Sequence, residues 1–247
     1  MKISYLLSYK IIVLVLFLIL SGCSNKNITI SEINDPLENI NRKIFNFNRS
    51  VDEKVISQIS ASYKKITPPS TRKAISNHIN WLDTPSTIIN SSLQVDFKNS
   101  ILASAKFLLN GLTLGFYDLD NGETVIKDRD LGSTLAKLNV PEGPFLMVPL
   151  IGPKTIRDFT GTILDTNITS NFSSQDLNNL KLIEIPIDTI DTRAKLSKTI
   201  DNIYESADPY IKLRSFYIQN RRNVVYDKKY FDLKNKKADE EFEKLLE

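Results

Sequence analysis

One thiol, one imidazole and a scatter of carboxylates are the groups in this chain that could do chemistry, and the thiol is the most informative. Cys23 is the sole cysteine and stands directly after Leu20, Ser21 and Gly22. Ahead of it, Lys2 and Lys10 form a positive start, and Ile11 to Leu20 is an uninterrupted apolar run. That run is half the roughly twenty residues a spanning helix needs, so it reads as a cleaved leader. A leucine, two small residues and a cysteine at its end form a lipobox. Small side chains fit the processing peptidase, and the thiol takes a diacylglycerol. Residues 1–22 are therefore expected to be removed, with Cys23 as the lipidated first residue. Acylation consumes the sulfur, so no disulfide is expected and the fold must rest on its core.

The remaining groups point away from catalysis. His78 is the only histidine, too little for a paired-histidine metal motif, and no aspartate cluster resembles a calcium loop. No metal site and no cofactor is expected. There is no G-x-S-x-G elbow and no phosphate loop. Carboxylate pairs stay open, because they assemble in space. The formal charge is +3. Lys2 and Lys10 leave with the leader, so the remainder sits near +1, without the concentrated basic face that nucleic-acid binding requires. A non-enzymatic protein is the expectation.

The elements that would position these groups are mainly helical. Residues 23–34 read as a lipidated tether. At Asp35, Pro36 and Glu38 the pattern is that of a helix start: a capping aspartate, proline at the first position and an acid three residues after the cap. Leu37, Ile40, Ile44, Phe47, Val51 and Val55 then form one apolar stripe over about five turns. Ser70 is read as the cap of a second helix, through Ile75, Ile79 and Leu82. Thr84 and Pro85 are read as restarting the chain in a third, and Asp96 as capping a fourth that ends at Asn110 and Gly111. That fourth helix is apolar nearly all round, which fits either deep burial or lipid contact. Residues 118–131 are charged and turn-like. Between 139 and 153, Pro141, Gly143, Pro144, Pro149, Gly152 and Pro153 exclude a long helix, leaving a rigid loop or a strand pair. Residues 166–181, rich in Asn, Ser and Thr, read as a surface connection. Two helices follow, one carrying Leu196, Ile200, Ile203 and Ala207, the other starting at Asp208 and Pro209. The charged tail, 227–247, is expected to be mobile.

Several ordered blocks resemble the MlaA (VacJ) family of phospholipid-transport lipoproteins. Asp35-Pro36-Leu37-Glu38 followed by Asn41, Arg42, Phe45, Asn46, Phe47 and Asn48 matches the family's D-P-L-E-x-x-N-R-x-x-F-x-F-N. Phe107-Leu108-Leu109-Asn110, Leu131-Gly132-Ser133-Thr134-Leu135, Gly143-Pro144-Phe145, Arg157-Asp158, Thr192-Arg193-Ala194 and Asp208-Pro209-Tyr210 with Arg214 follow in the family's order. The resemblance covers a helical domain over 35–226. It implies a ring of amphipathic helices, with a short Gly/Pro-rich loop or hairpin, lying in the inner leaflet of the outer membrane on its periplasmic side. It further implies removal of mislocalised phospholipid from the outer leaflet and hand-over to a periplasmic lipid carrier of an ABC transport system, with an outer-membrane porin trimer as partner. Such transfer needs no bond made or broken. Ser24 in place of a retention aspartate agrees with outer-membrane sorting.

On this resemblance Asn139, Pro141, Gly143, Pro144 and Phe145 border the channel. Where the family often has glycines near 139 and 141, this chain has Asn139 and Pro141, which stiffen that segment. The glycine-rich stretch after Asn110 is also shorter. A structural lipoprotein that scaffolds porins without moving lipid is the competing reading. Cys23→Ser is expected to leave an unprocessed precursor. Mass spectrometry of the mature N-terminus checks this, and an unmodified Cys23 would overturn the lipobox reading.

Overall fold

The computed structural model describes residues 33–226, apart from 121, 173 and 174, and the side chains of 166–183 are not among those described. The leader, Cys23, the tether up to residue 32 and the tail from 227 lie outside the described residues. Ile33 and Asn34, inside the expected tether, already belong to the folded body. Ile33 packs against the core and the Asn34 carbonyl accepts from Phe145 N at 2.8 Å.

The elements are α1 (Glu38–Val51), a π-helical turn (Asp52–Ile56), α2 (Ser57–Ile66), α3 (Pro69–Leu93), α4 (Phe97–Gly111), α5 (Leu131–Lys137), β1 (Phe145–Val148), β2 (Gly152–Thr155), α6 (Ile156–Phe172), α7 (Gln175–Lys195), α8 (Ser197–Tyr204) and a last helix, α9, over 209–226. The strands form a two-stranded antiparallel hairpin with Phe145 opposite Thr155 and Val148 opposite Gly152. The mainly helical class and the hairpin agree with the sequence reading. No helix among the described residues is long and apolar enough to cross a membrane.

Several local expectations are corrected. Asp35 does not cap α1: the N-cap position is Leu37, without any side-chain cap. The Asp35 carboxylate is instead taken up by one side chain of α1 and two far along the chain. It accepts from Asn41 Nδ2 at 2.8 Å, from Arg214 Nη1 at 2.5 Å and from the Tyr210 hydroxyl. Glu38 does not close a capping box either; it accepts from Arg42 Nε at 2.8 Å and Arg214 Nη1 at 3.2 Å. Ser70 lies inside α3, whose N-cap is Pro68. α3 also runs unbroken through Thr84 and Pro85. Pro85 has no N–H for the Trp81 carbonyl, but Thr84 Oγ1 donates to the Asn80 carbonyl at 2.9 Å. Across the helical hairpin with α4, Trp81 Nε1 donates to the Phe107 carbonyl at 2.9 Å. The expected connection at 166–181 is mostly helix, the end of α6 and the start of α7. Helix propensities differ by only about 0.5 kcal/mol between such residues, so tertiary context overrides them.

Burial is largely inverted along α1 and the π-turn. The stripe residues Leu37, Ile40, Phe47 and Val55 are exposed and Asn41, Phe45 and Asp52 face inward, while Ile44, against the core, and Val51 are half-buried. α4 repeats this: Phe97, Ile101, Leu108 and Leu109 are exposed and Asn99, Ser100, Ala103 and Asn110 are buried. Of the two environments expected for α4, deep burial is not found: its apolar face is turned outward. Its start, with Asp96 accepting from Asn99 N, is as expected. The apolar core is small and centred on Phe45, Phe145, Met147, Tyr210 and Ile218.

The Asp35 partners generate a stability prediction. A lost helix cap costs about 1 kcal/mol, whereas removing one member of a buried ion pair costs about 3–5 kcal/mol. Because Arg214 keeps Glu38, Asp35→Ala is expected to cost about 2–4 kcal/mol. Glu38→Ala, at a half-exposed site, is expected to cost about 1 kcal/mol or less. Thermal denaturation in detergent checks the order; equal losses would show that Asp35 is not the tie between α1 and α9.

Candidate functional site: a hairpin gripped by two asparagines

Asn41 and Asn48 are seven residues apart on α1, an axial advance of about 10.5 Å. Three strand residues advance about 10 Å, so the two amides match the open edge of β1. Asn41 Nδ2 donates to the Phe145 carbonyl at 3.0 Å and its Oδ1 accepts from Met147 N at 2.9 Å. Asn48 Nδ2 donates to the Val148 carbonyl at 3.0 Å and its Oδ1 accepts from Leu150 N at 2.8 Å. Two side chains thus do for β1 what a third strand would, and the edge is satisfied without further pairing. The turn they hold carries Leu150 in the left-handed region (φ 63°) and presents Leu150 and Ile151 outward. Beside it lies a largely apolar cavity of about 200 Å³, lined among others by Phe45, Met147, Leu150, Tyr204 and Leu213.

The five residues that the family resemblance sets beside a channel lead into this hairpin. Asn139 (φ 61°) is exposed and ends α5: Val140 N donates to the Leu135 carbonyl and Asn139 N to that of Ala136, both at 3.0 Å. This is a Schellman cap, where glycine is commonest and asparagine the next choice. Pro141 is exposed. Gly143 (φ 70°) turns the chain where a Cβ would sit 3.3 Å from Ile156. The Pro144 carbonyl accepts from Ile156 N at 3.1 Å. Phe145 is in the core, 1% exposed, edge-on to Tyr210 and Tyr217.

Among the family-motif residues, Asp35, Glu38, Asn41, Arg42, Asp208, Tyr210 and Arg214 converge. Arg42 Nη1 and Nη2 grip both oxygens of Asp208 at 3.1 and 2.8 Å, and the Arg42 and Arg214 guanidiniums both lie over the Tyr210 ring. Burial first, then the neighbouring Asp35, pushes the Tyr210 hydroxyl well above its usual range. Asp208 also accepts from Ile211 N and so caps α9, as the sequence suggested for the Asp208-Pro209 start. Pro36 and Phe47 stay outside the cluster, exposed.

Arg157 and Asp158 belong to a second cluster that sequence reasoning saw only in part. Arg221 of α9 donates to Asp130 Oδ2 and Oδ1 at 2.7 and 2.8 Å and to Asp158 Oδ1 at 3.0 Å; the Tyr217 hydroxyl donates to Asp158 Oδ2 at 3.0 Å. Burial alone would raise the Asp158 carboxyl, but Arg221 beside it holds it below its usual range. Arg221 reaches both acids because α5 and α6 touch through Gly132 and Gly161. A Cβ on Gly161 would stand 2.5 Å from Gly132 N. The signal for Asp130 was available in the sequence: Asp130 and Ser133 form a reciprocal capping box on α5, inside a stretch read as turn. Nothing local marked Arg221 as its partner.

Residues 33–224 match the family model described as MlaA lipoprotein. An uncharacterised protein of Rickettsia conorii is 31% identical over 200 residues, 79% of this chain and 79% of its own. The intermembrane phospholipid transport system lipoprotein MlaA of Haemophilus influenzae is 28% identical over 230 residues, 90% of this chain and 92% of its own. Its Escherichia coli K12 counterpart is 28% identical over 210 residues, 81% and 82% of the two chains. A solved structure, reported as the structural basis for maintenance of bacterial outer membrane lipid asymmetry, superposes with a TM-score of 0.68. It is 28% identical, and the match covers 78% of this chain and 99% of that one. With its folded body matched from Ile33 almost to the end of α9, the chain belongs to the MlaA lipoprotein family.

Proposed function

We propose that this chain is an outer-membrane lipoprotein of an intermembrane phospholipid transport system. It takes mislocalised phospholipid from the outer leaflet and passes it to a periplasmic carrier, keeping the two leaflets different. The observation that carries the reading is the inverted burial. Among the described residues more polar than apolar side chains are buried, while Phe97, Ile101, Leu108, Leu112, Leu114 and Tyr117 stand exposed. In water such a surface is a liability; in an acyl layer it is the stable arrangement. Cys23 supplies the lipid anchor on this reading, and its partners are those of the family: a porin trimer, and the lipid-carrier protein of an ABC transporter.

The hairpin and the segment leading into it, 139–145, border the lipid path. Phe145 works from behind, as the pivot in the core, and Leu150 and Ile151 at the turn meet the lipid. The work is partition and gating, with no bond made or broken, so no side chain is assigned a catalytic role.

Reconstitution with labelled phospholipid and a carrier acceptor tests this. Asn48→Ala removes two hydrogen bonds from the turn, worth about 1 kcal/mol each, and is expected to change the exchange rate severalfold while lipidation persists. An Asn48→Ala protein exchanging at the wild-type rate would remove the hairpin from the mechanism. A wild type that exchanges with no carrier would favour the porin-scaffold reading.

A further inference from the structure

On the other side of the π-turn from the apolar cavity is a second one, lined mostly by polar and charged residues. Its volume is about 410 Å³, and its walls include Ser57, Ser60, Lys64, Lys65, Arg193 and Ser197. Arg193 of α7 is its buried cation, 7% exposed. Arg193 Nε donates to both Asp52 oxygens at 2.9 and 3.1 Å, and Nη2 to Asp201 Oδ1 at 2.9 Å and Ser57 Oγ at 3.4 Å. Nη1 makes no hydrogen bond to a described residue. Ser57 accepts from Arg193, so its own proton is left for another acceptor. Lys64 and Lys65 are exposed at the rim and pair with no carboxylate among the described residues. Three cations face two carboxylates, Asp52 and Asp201, leaving an excess of positive charge.

The backbone contributes an independent observation. A π-turn is rare and is frequently found at functional sites. This one spans Asp52–Ile56, where the extra residue in the turn sets Asp52 against Arg193 and brings Ser57 to the cavity. The flanking face of the same segment carries Val55, Ile59 and Ile66, all exposed and apolar. A helix with an apolar stripe on one side and lysines on the other lies in the membrane interface, with its polar side at headgroup level. Asp52, Ile56 and Ile200 line the apolar cavity, whereas Ser57, Ser197 and Asp201 line the polar one. One segment therefore separates a space suited to acyl chains from a space suited to an anion.

We infer that the cavity between α2, α7 and α8 binds the phosphate of an anionic phospholipid headgroup, with Lys64 and Lys65 selecting net negative charge and Arg193 and Ser57 holding the phosphate oxygens. The ligand class rests on the phospholipid reading above; the site does not depend on transport through the hairpin.

Short-chain phosphatidylglycerol and phosphatidylcholine, titrated below micelle formation into the detergent-solubilised full protein, test it, with inorganic phosphate as a third arm. Phosphatidylglycerol is expected to bind at least about tenfold more tightly than phosphatidylcholine. Lys64→Gln with Lys65→Gln is expected to abolish that preference. Lys98→Gln with Lys137→Gln, the same charge change at exposed lysines elsewhere, is expected to keep it. Equal binding of the two lipids overturns the inference, as does an equal loss in both double variants, which would mean diffuse surface charge. Inorganic phosphate binding as tightly as phosphatidylglycerol overturns the lipid source and leaves a free-anion site. Lipid exchange is read on the same preparations. Exchange without headgroup preference sinks this inference alone, whereas preference without exchange sinks the transport reading alone.

Discussion

Asp35 is a carboxylate with 3% of its side chain exposed, and the desolvation of such a group costs several kcal/mol unless its partners all arrive. The partners come from both ends of the folded body: Asn41 from α1, and Tyr210 and Arg214 from α9. A one-residue slip of either helix would turn a donor away and leave the charge buried and bare, so Asp35 fixes the register of α1 against α9. Asn41 carries that register onward. One amide hydrogen goes to Asp35, the other to the Phe145 carbonyl, and the amide oxygen takes Met147 N. The position of β1 on α1 is therefore set by the same side chain that answers Asp35. Tyr210 closes the loop by packing edge-on to both Phe45 and Phe145. Helix, hairpin and last helix are locked by one buried charge and the groups that satisfy it.

The rest of the body follows a different economy of contacts. The seam between α3 and α4 is made of hydrogen bonds more than of apolar burial. Asn99 Nδ2 donates to Ser91 Oγ at 2.8 Å, and Ser92 and Ser100 share a hydroxyl contact at 2.8 Å. Asn90 accepts from Thr134 Oγ1 at 2.8 Å, reaching α5. Small polar residues let helices approach closely and join where no hydrophobic force operates between them, as in lipid. On the proposed reading, in which the body sits in an acyl layer, bonds of this kind are worth roughly 0.6 kcal/mol each, so the seam needs several, and it has them.

This inversion explains which features were legible in the sequence. The start at Asp208, the Asp96 cap and the breaker-rich hairpin are local signals, and they survive in the fold because Asp208 and Asp96 keep a backbone N–H of their own helix even while Arg42 grips Asp208 and Arg129 stands 3.9 Å from Asp96. Asp35-Pro36 carries the same local signal as Asp208-Pro209, yet Asp35 was recruited by Arg214, 179 residues away; spacing cannot reveal that. The apolar stripe starting on α1 is periodic, but periodicity does not say which side is solvent: Leu37, Ile40, Phe47 and Val55 face out, and only Ile44 and Val51 are half-buried. Thr84-Pro85 read as a break because the compensating hydroxyl bond to Asn80 is visible only once the helix exists. The Arg221 cluster depends on two glycines, Gly132 and Gly161, meeting across α5 and α6, a contact with no signature in either segment alone.

The exposed apolar surface also bears on what the lipid anchor does. After α4 the chain turns through Leu112, Leu114, Phe116 and Tyr117, with Leu112 79% exposed. That turn is held rigidly. His78 stacks on Phe116 at 4.4 Å, Trp81 stacks on Phe107 at 5.0 Å, and a Cβ on Gly115 would stand 2.4 Å from Trp81. Full burial of a large apolar side chain contributes about 1.5–3 kcal/mol, so four of them entering an acyl layer would give about 6–12 kcal/mol if fully exposed beforehand, and roughly 4–7 kcal/mol at their actual exposures of 39–79%. A single myristoyl chain gives a binding constant of about 10⁴ M⁻¹, which is about 5.5 kcal/mol. The loop alone thus matches an acyl chain, and unlike an acyl chain on a tether it is fixed to the fold by stacked rings. On the proposed reading the lipid at Cys23 keeps the protein at the membrane, while the depth and tilt of the body, and with them the height at which the hairpin turn meets lipid, are set by the loop after α4.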